Sequence, residues 1–217
     1  MLLLNKIKVG ARSSNLSKVQ VQEVFNELKK FVETLAFDVE YIATKGDKDK
    51  QISLRELEKT NFFTQELDDL LLNGSLRITI HSAKDLPEPL PMGLKIVALT
   101  KGLTNADCIV FNELGPNPKI GTSSKTREDA IRQWNKDSVI VDIRGTIEER
   151  LDLIDQRVVE GVVIAECALQ RLGLNYLKKI PLEGVFTPLQ GRLAVVARAD
   201  DEEMTQLFSW IDTRNTV

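Results

Sequence analysis

The pattern that most restricts this chain is an alternation, run through twice, of short apolar stretches with segments of helical apolar spacing. In the first run, Lys6 to Ala11 reads as a strand. Val21, Val24, Phe25, Leu28, Val32 and Leu35 then form the buried face of a helix reaching about Leu35. Val39, Tyr41 and Ala43 alternate as a strand, and Lys45 to Ser53 reads as a polar loop. A helix over about Phe62 to Asn73 points Phe63, Leu67, Leu70 and Leu71 inward. Strands follow at Arg77–His81 and Leu94–Leu99. From about Thr100 the pattern restarts. Strands are predicted at 107–111, 119–121, 139–143, 162–165 and 192–199, and helices at 124–134, from Thr146, at 166–172 and at 202–211. Strands alternating with helices predict α/β architecture with mainly parallel sheets. Two comparable halves predict two lobes with a ligand cleft between them.

Local chemistry marks the helix ends. Ser13, Ser14 and Asn15 can accept from the orphan N–H groups of the first helix. Thr146-Ile147-Glu148-Glu149 has the spacing of a capping box. Gly74 and Gly173 are stop signals. Pro87, Pro89 and Pro91 stiffen the loop after the third strand.

Composition removes several function classes. A net charge of −3 gives no general nucleic-acid footprint, so any positive site is local. Cys108 and Cys167 are the only cysteines and have no CxxC spacing. No metal site or disulfide framework is therefore expected, and a reducing, cytoplasmic setting fits. Both cysteines sit in apolar stretches and read as small buried hydrophobes. The start, Met1-Leu2-Leu3-Leu4-Asn5-Lys6, lacks the long apolar region of a signal peptide. No run reaches the roughly 18 apolar residues of a membrane span.

Two polar clusters carry the functional signal. Ile80-His81-Ser82-Ala83-Lys84-Asp85-Leu86-Pro87 sets a lysine beside an aspartate where a strand releases its chain. Ligands of open α/β sheets bind at that place. Gly121-Thr122-Ser123-Ser124-Lys125-Thr126-Arg127 precedes a helix. Ser14 and the Thr122, Ser123 and Ser124 run stand at helix N-termini, whose free N–H groups suit anions and equally suit plain capping. Together the clusters predict a carboxylate working among cations on a polyanionic substrate. His81, the sole histidine, reads as structural, with an orienting role for the Lys84 loop left open.

In this order and at these spacings the motifs resemble the porphobilinogen deaminase (hydroxymethylbilane synthase) family. The anchors are Gly10-Ala11-Arg12-Ser13-Ser14, Thr44-Lys45-Gly46-Asp47, His81 to Pro87, Gly121 to Ser124, Ile143-Arg144-Gly145, Arg150-Leu151, Leu169 to Leu174 and Gln190-Gly191. The resemblance implies two lobes of the type II periplasmic-binding-protein kind, with the active site in the interlobe cleft. The expected boundaries are 1–99 plus 194–217 for the first lobe and 100–193 for the second. It implies a transferase that joins porphobilinogen head to tail, with loss of ammonia, into hydroxymethylbilane. The implied primer is a dipyrromethane, which the family carries on a cysteine of a third domain. That domain is expected to be absent here, and no residue is assigned to covalent attachment.

The resemblance also implies roles. Asp85 would stabilise the azafulvene cation left by ammonia loss and move protons. Lys84, Arg12, Arg127, Arg144, Arg150 and Arg171 would hold the acetates and propionates, because guanidinium forks bind carboxylates bidentately. The sequence departs from the family at Thr126, where a second arginine is usual, at Lys59-Thr60-Asn61, where a lysine is displaced, and at Asn15, in place of a proline. Expected partners are porphobilinogen and the growing pyrrole chain, with a separate third-domain polypeptide open and otherwise a monomer. The alternative is a non-catalytic or incomplete relative that binds a tetrapyrrole or a small polycarboxylate.

Overall fold

The computed structural model describes residues 6–49, 60–184 and 187–214, and Lys59 and the two chain ends lie outside them. The first elements in chain order are β1 (Ile7–Arg12), α1 (Asn15–Lys29), β2 (Phe37–Ile42), α2 (Lys45–Lys48), α3 (Gln65–Leu72), β3 (Ile78–Ser82) and β4 (Leu94–Leu99). Next come β5 (Asp107–Phe111), β6 (Lys119–Gly121), α4 (Lys125–Trp134), β7 (Val139–Val141), α5 (Ile147–Asp155), β8 (Gly161–Ala165), α6 (Glu166–Arg171) and β9 (Lys179–Leu182). β10 (Leu193–Arg198) and α7 (Glu202–Phe208) end the series. The chain divides into two compact units. Met1–Lys48, Lys59–Leu103 and Arg192–Val217 form the first, and Asp49–Glu58 with Thr104–Gly191 form the second.

Each unit is built on one five-stranded sheet, ordered β2-β1-β3-β10-β4 in the first and β7-β6-β8-β5-β9 in the second. β1 pairs parallel with β2 and β3, while β10 pairs antiparallel with β3 and β4. β6 likewise pairs parallel with β7 and β8, and β5 antiparallel with β8 and β9. In both sheets, then, a single strand opposes four that share a direction. The two opposing strands, β5 and β10, are the first strands after the chain passes from one unit to the other.

Side-chain alternation explains how the first sheet takes helices on both faces. Ile7, Val9 and Ala11 of β1 join Val21, Val24 and Leu28 of α1 and Met204, Leu207 and Phe208 of α7 in one core. On the opposite face Leu67 and Leu71 of α3 pack with Leu76, Ala194 and Val196. In the second unit Ile109, Ile120 and Val163 meet Ala130 and Ile131 of α4.

Several expectations change, and the helix foreseen over about Phe62 to Asn73 divides into a 3₁₀ turn (Asn61–Phe63) and α3. α1 stops at Lys29 rather than near Leu35, with the Lys30 N–H bonded back to Glu27 and Leu28 carbonyls. Leu35 still reaches the core, but from a turn, because apolar spacing persists past the point where the β-branched Val32 and Thr34 lower helix propensity. The polar loop from Lys45 opens with α2, whose first turn is fastened by Asp47 accepting from the Thr44 N–H at 3.0 Å and hydroxyl at 2.9 Å. β9 was not foreseen, since it is short and contains Pro181. Its edge position makes the missing N–H harmless. Among the described residues no helix is long and apolar enough to cross a membrane.

Gly10 sits where α3 closes onto β1. A Cβ there would lie 2.3 Å from Leu76 Cδ1 and 2.9 Å from Leu67 Cδ2. Gly10→Ala is expected to lower stability by about 1–3 kcal/mol through overpacking. Urea unfolding checks this, and an unchanged midpoint would show that Leu76 can move aside.

Candidate functional site

Because β1 and β3 run parallel as neighbours, the segments after their carboxyl ends emerge at one edge of the sheet. There, within the first unit, a recess of about 290 Å³, counted to its open mouth, is lined by residues that include Arg12, Gln20, Phe63, His81, Ser82 and Asp85.

Arg12 ends β1 on the α3 face. Its Nε lies 3.2 and 3.3 Å from the two carboxylate oxygens of Asp47, with Nη2 on the same carboxylate. Its guanidinium carbon sits 4.5 Å above the centre of the Phe63 ring, a cation–π contact. Gly46 makes room for this stack, since a Cβ there would be 2.4 Å from Phe63 Cδ1. Burial pushes the Asp47 carboxyl up, but the hydrogen bonds and charge of Arg12 and the bonds from Thr44 outweigh it, and the group is held below its ordinary value.

Ser14 is the N-cap of α1. Its Oγ accepts from the Ser17 N–H at 3.2 Å and lies 2.9 Å from Ser17 Oγ. Gln20 Nε2 donates to Ser82 Oγ at 2.8 Å. Lys84 and Asp85 lie in a 3₁₀ turn (Ala83–Asp85) that continues directly from β3. Ala83 and Leu86 are buried anchors, whereas Asp85 is exposed and Lys84 half-buried. The strand end thus thrusts a carboxylate outward from a fixed base. His81 is 6% exposed and its Nε2 is 2.8 Å from Thr79 Oγ1. Burial, and then the Arg12 charge, press its imidazole down to about 3, so it is neutral near pH 7 and part of the wall.

The second unit repeats the arrangement. Thr122, buried, and half-buried Ser123 and Ser124 follow the carboxyl end of β6. Ser124 caps α4, accepting from the Arg127 N–H at 3.4 Å, and the Ser124 N–H reaches Thr122 Oγ1 at 3.2 Å. Arg127 forms a buried fork with Asp107, Nε to Oδ2 at 3.1 Å and Nη2 to Oδ1 at 2.5 Å. Gln190 Nε2 donates to the same carboxylate at 3.2 Å. Arg144 Nη2 reaches the Asp49 carbonyl at 3.3 Å, Arg150 Nε the Gly145 carbonyl at 3.0 Å and Arg171 Nη2 the Gly191 carbonyl at 2.8 Å. These arginines were expected to hold ligand carboxylates, and each has at least one internal acceptor. Thr126 is exposed.

Both thiols are buried. Burial first, with smaller effects from neighbouring charges, pushes the Cys108 thiol up to about 11, which removes it as a nucleophile near neutrality. Sequence reasoning assigned no site role to Asp47, Gln20 or Asp107, and read Phe63 only as an inward-facing helix residue. For Asp47 a signal existed, since Thr44 and Asp47 have capping spacing. Asp107 and Gln190 carry no such mark, because only the fold brings them to Arg127.

The His81 environment fixes the sign of a pH effect. Its folded value lies below the ordinary 6.5, so its contribution is complete above about pH 6.5 and is lost as pH falls toward 3. At pH about 4 the folded state has given up roughly 3 kcal/mol to imidazole protonation in the unfolded chain. Urea unfolding of His81→Gln beside the parent is expected to show a shallower loss between pH 7 and 4. Parallel curves would mean that the imidazole is not held neutral.

The profile of the family described as "Porphobilinogen deaminase, dipyromethane cofactor binding domain" matches residues 7–206. A "Probable porphobilinogen deaminase" of Chlamydia pneumoniae is 37% identical over 209 residues, 94% of this chain and 88% of that protein. A "Porphobilinogen deaminase" of Caldicellulosiruptor saccharolyticus is 37% identical over 201 residues, 88% of this chain and 68% of that one. In fold alone, the chain is similar to the periplasmic VFT2 domain of BvgS from Bordetella pertussis, with a TM-score of 0.56 at 10% identity over 94% of this chain and 86% of that one. The sheet order and this likeness give each unit the type II periplasmic-binding-protein plan. The profile match over nearly the whole chain and the identity with these relatives agree: the chain belongs to the porphobilinogen deaminase family and spans its dipyrromethane-cofactor-binding domain.

Proposed function

We propose that this chain condenses porphobilinogen head to tail, with loss of ammonia, into the linear tetrapyrrole hydroxymethylbilane. Family membership supports the reaction class. The observation that carries the assignment is Asp85, an exposed carboxylate on a buried base at the rim of a recess that also contains Arg12.

Loss of ammonia from the aminomethyl group leaves a cationic azafulvene. The Asp85 carboxylate stabilises that charge as it develops and takes the proton released at the ring carbon after coupling. Each ring also brings an acetate and a propionate. Lys84 and Arg12 are the proposed holders beside Asp85. Asp47 occupies one edge of the Arg12 fork, which fixes the guanidinium and leaves further donors of its five for the ligand. A carboxylate of this kind gives little to a site that only binds polyanions, so its position favours turnover.

The dipyrromethane's four carboxylates need several donors close together. The second unit's donor set fits that need. The Thr122 to Ser124 segment offers hydroxyls and the start of the ten-residue α4, and Arg127, Arg144, Arg150 and Arg171 supply cations. When bound, the dipyrromethane supplies the acceptor pyrrole carbon for the first ring. The residues' part is to hold its carboxylates still, and Asp107 does the same for Arg127. The two buried thiols fit a reducing, cytoplasmic setting.

Purified protein incubated with porphobilinogen tests the proposal through substrate consumption and porphyrin formed after acid oxidation. Asp85→Asn is expected to lower turnover about 100-fold or more with unchanged thermal unfolding. Equal turnover would remove Asp85 from the chemistry, and no consumption by the folded parent would overturn the catalytic reading. Asp47→Ala is expected to raise KM about tenfold, because Arg12 loses its fixed geometry. An unchanged KM would separate Arg12 from substrate.

A further inference from the structure

Thr64 belongs to the wall of the recess and is 1% exposed. It occupies the N-cap position of α3, where a threonine hydroxyl ordinarily accepts from a backbone N–H one turn on. It makes no such bond. Its hydroxyl instead donates to Asp68 Oδ2 at 2.7 Å, and the Asp68 N–H donates to the Thr64 carbonyl at 2.8 Å. Asp68 is 3% exposed. A capping interaction has thus been exchanged for a pairing with a buried carboxylate directly behind the recess.

A hydroxyl that donates to a carboxylate keeps its lone pairs as acceptors for a group that enters the recess. A carboxyl that gains a proton can act as the donor of the pair, which frees the threonine hydroxyl to donate. We propose that Asp68 is a positioning residue for this recess: its protonation sets whether Thr64 offers an acceptor or a donor, and the ionised form favours an N–H-bearing ligand such as an aminomethylpyrrole. The substrate class rests on the function proposed above. The pairing itself rests on geometry alone.

The proton equilibrium falls in a usable range. Burial raises the Asp68 carboxyl, the Thr64 bond lowers it, and the Asp69 charge raises it, leaving it at about 6. Asp69 on α3 is exposed, and the remaining ionisable groups on α3 and the elements around it are engaged or neutral. Glu66 accepts from the Lys45 N–H, Arg12 on β1 is paired with Asp47, and His81 on β3 is neutral. Lys95 on β4 turns to Glu202, and Arg198 on β10 reaches the Leu71 carbonyl.

The test follows the Asp68 carboxyl carbon by NMR from about pH 5 to 8 in the free protein, and porphobilinogen affinity by calorimetry over the same range. The expected result is a carboxyl midpoint near 6 and an affinity that falls about tenfold as pH drops through it. Asp68→Asn, whose neutral amide can donate to the hydroxyl and does not titrate, is expected to hold the low affinity at every pH, and Thr64→Ser to keep the parent's pH dependence. Should Asp68→Asn fail to fold, Thr64→Val decides, with pH-independent low affinity expected while Asp68 still titrates. Parent affinity that ignores pH, or a limb that survives in Asp68→Asn or Thr64→Val, would overturn the inference. Porphobilinogen failing to bind at any pH would overturn the function proposed above. A carboxyl midpoint that shifts in Thr64→Val would in that case still support the pair.

Discussion

The parallel pairing of β1 with β3 is the contact on which the first unit's recess depends. Residues Val9 and Gly10 meet Ile78 and Thr79 in this ladder, and the strands then release Arg12 on one side and His81 to Asp85 on the other at a common edge. Neither segment makes a recess alone. Gly10 lets the pair lie flat beneath Leu67 and Leu76, so the glycine that closes the core also sets the height of α3 above the edge. Phe63, Thr64 and Asp68 come to the recess through that closure.

Both units use a buried or half-buried carboxylate to hold an arginine, Asp47 for Arg12 at the end of β1 and Asp107 for Arg127 in the first turn of α4. A long flexible cation loses much conformational freedom when it binds a ligand, and a partner already gripping one edge removes part of that cost in advance. Burying such a pair gains little stability by itself, because desolvation offsets the attraction. Its return lies in geometry: the guanidinium plane is fixed, while its remaining donors stay directed elsewhere. Asp68 follows a related logic. A carboxyl raised to about 6, with burial the largest cause, stays mostly ionised at pH 7 yet protonates on mild acidification, and its one described side-chain bond is to a residue of the recess wall.

Much of the fold was legible in the chain. β4, β5 and β6 stand where apolar alternation predicts them, and the capping box at Thr146 forms as its spacing requires. Failures occurred where spacing alone could not arbitrate. The α1 periodicity runs on through a turn to Leu35, and β9 is disguised by Pro181. At the candidate site, motif order brought out Arg12, Lys84, Asp85 and the Thr122 to Ser124 run. The partners of the arginines stayed hidden, because an aspartate opening an apolar strand, such as Asp107, looks like any strand end until Arg127 is placed against it.

The sequence by itself determined the alternation of elements, the helix caps and the residues that can carry charge and protons, since these depend on neighbours within a few positions. Tertiary structure decided what those residues face. Sheet order set which strand ends share an edge, and packing made His81 a neutral wall residue rather than a base. It also turned the Thr64 hydroxyl from a helix cap into the partner of Asp68. Burial and long-range pairing are properties of the folded chain, and they fix the protonation and orientation on which the chemistry rests.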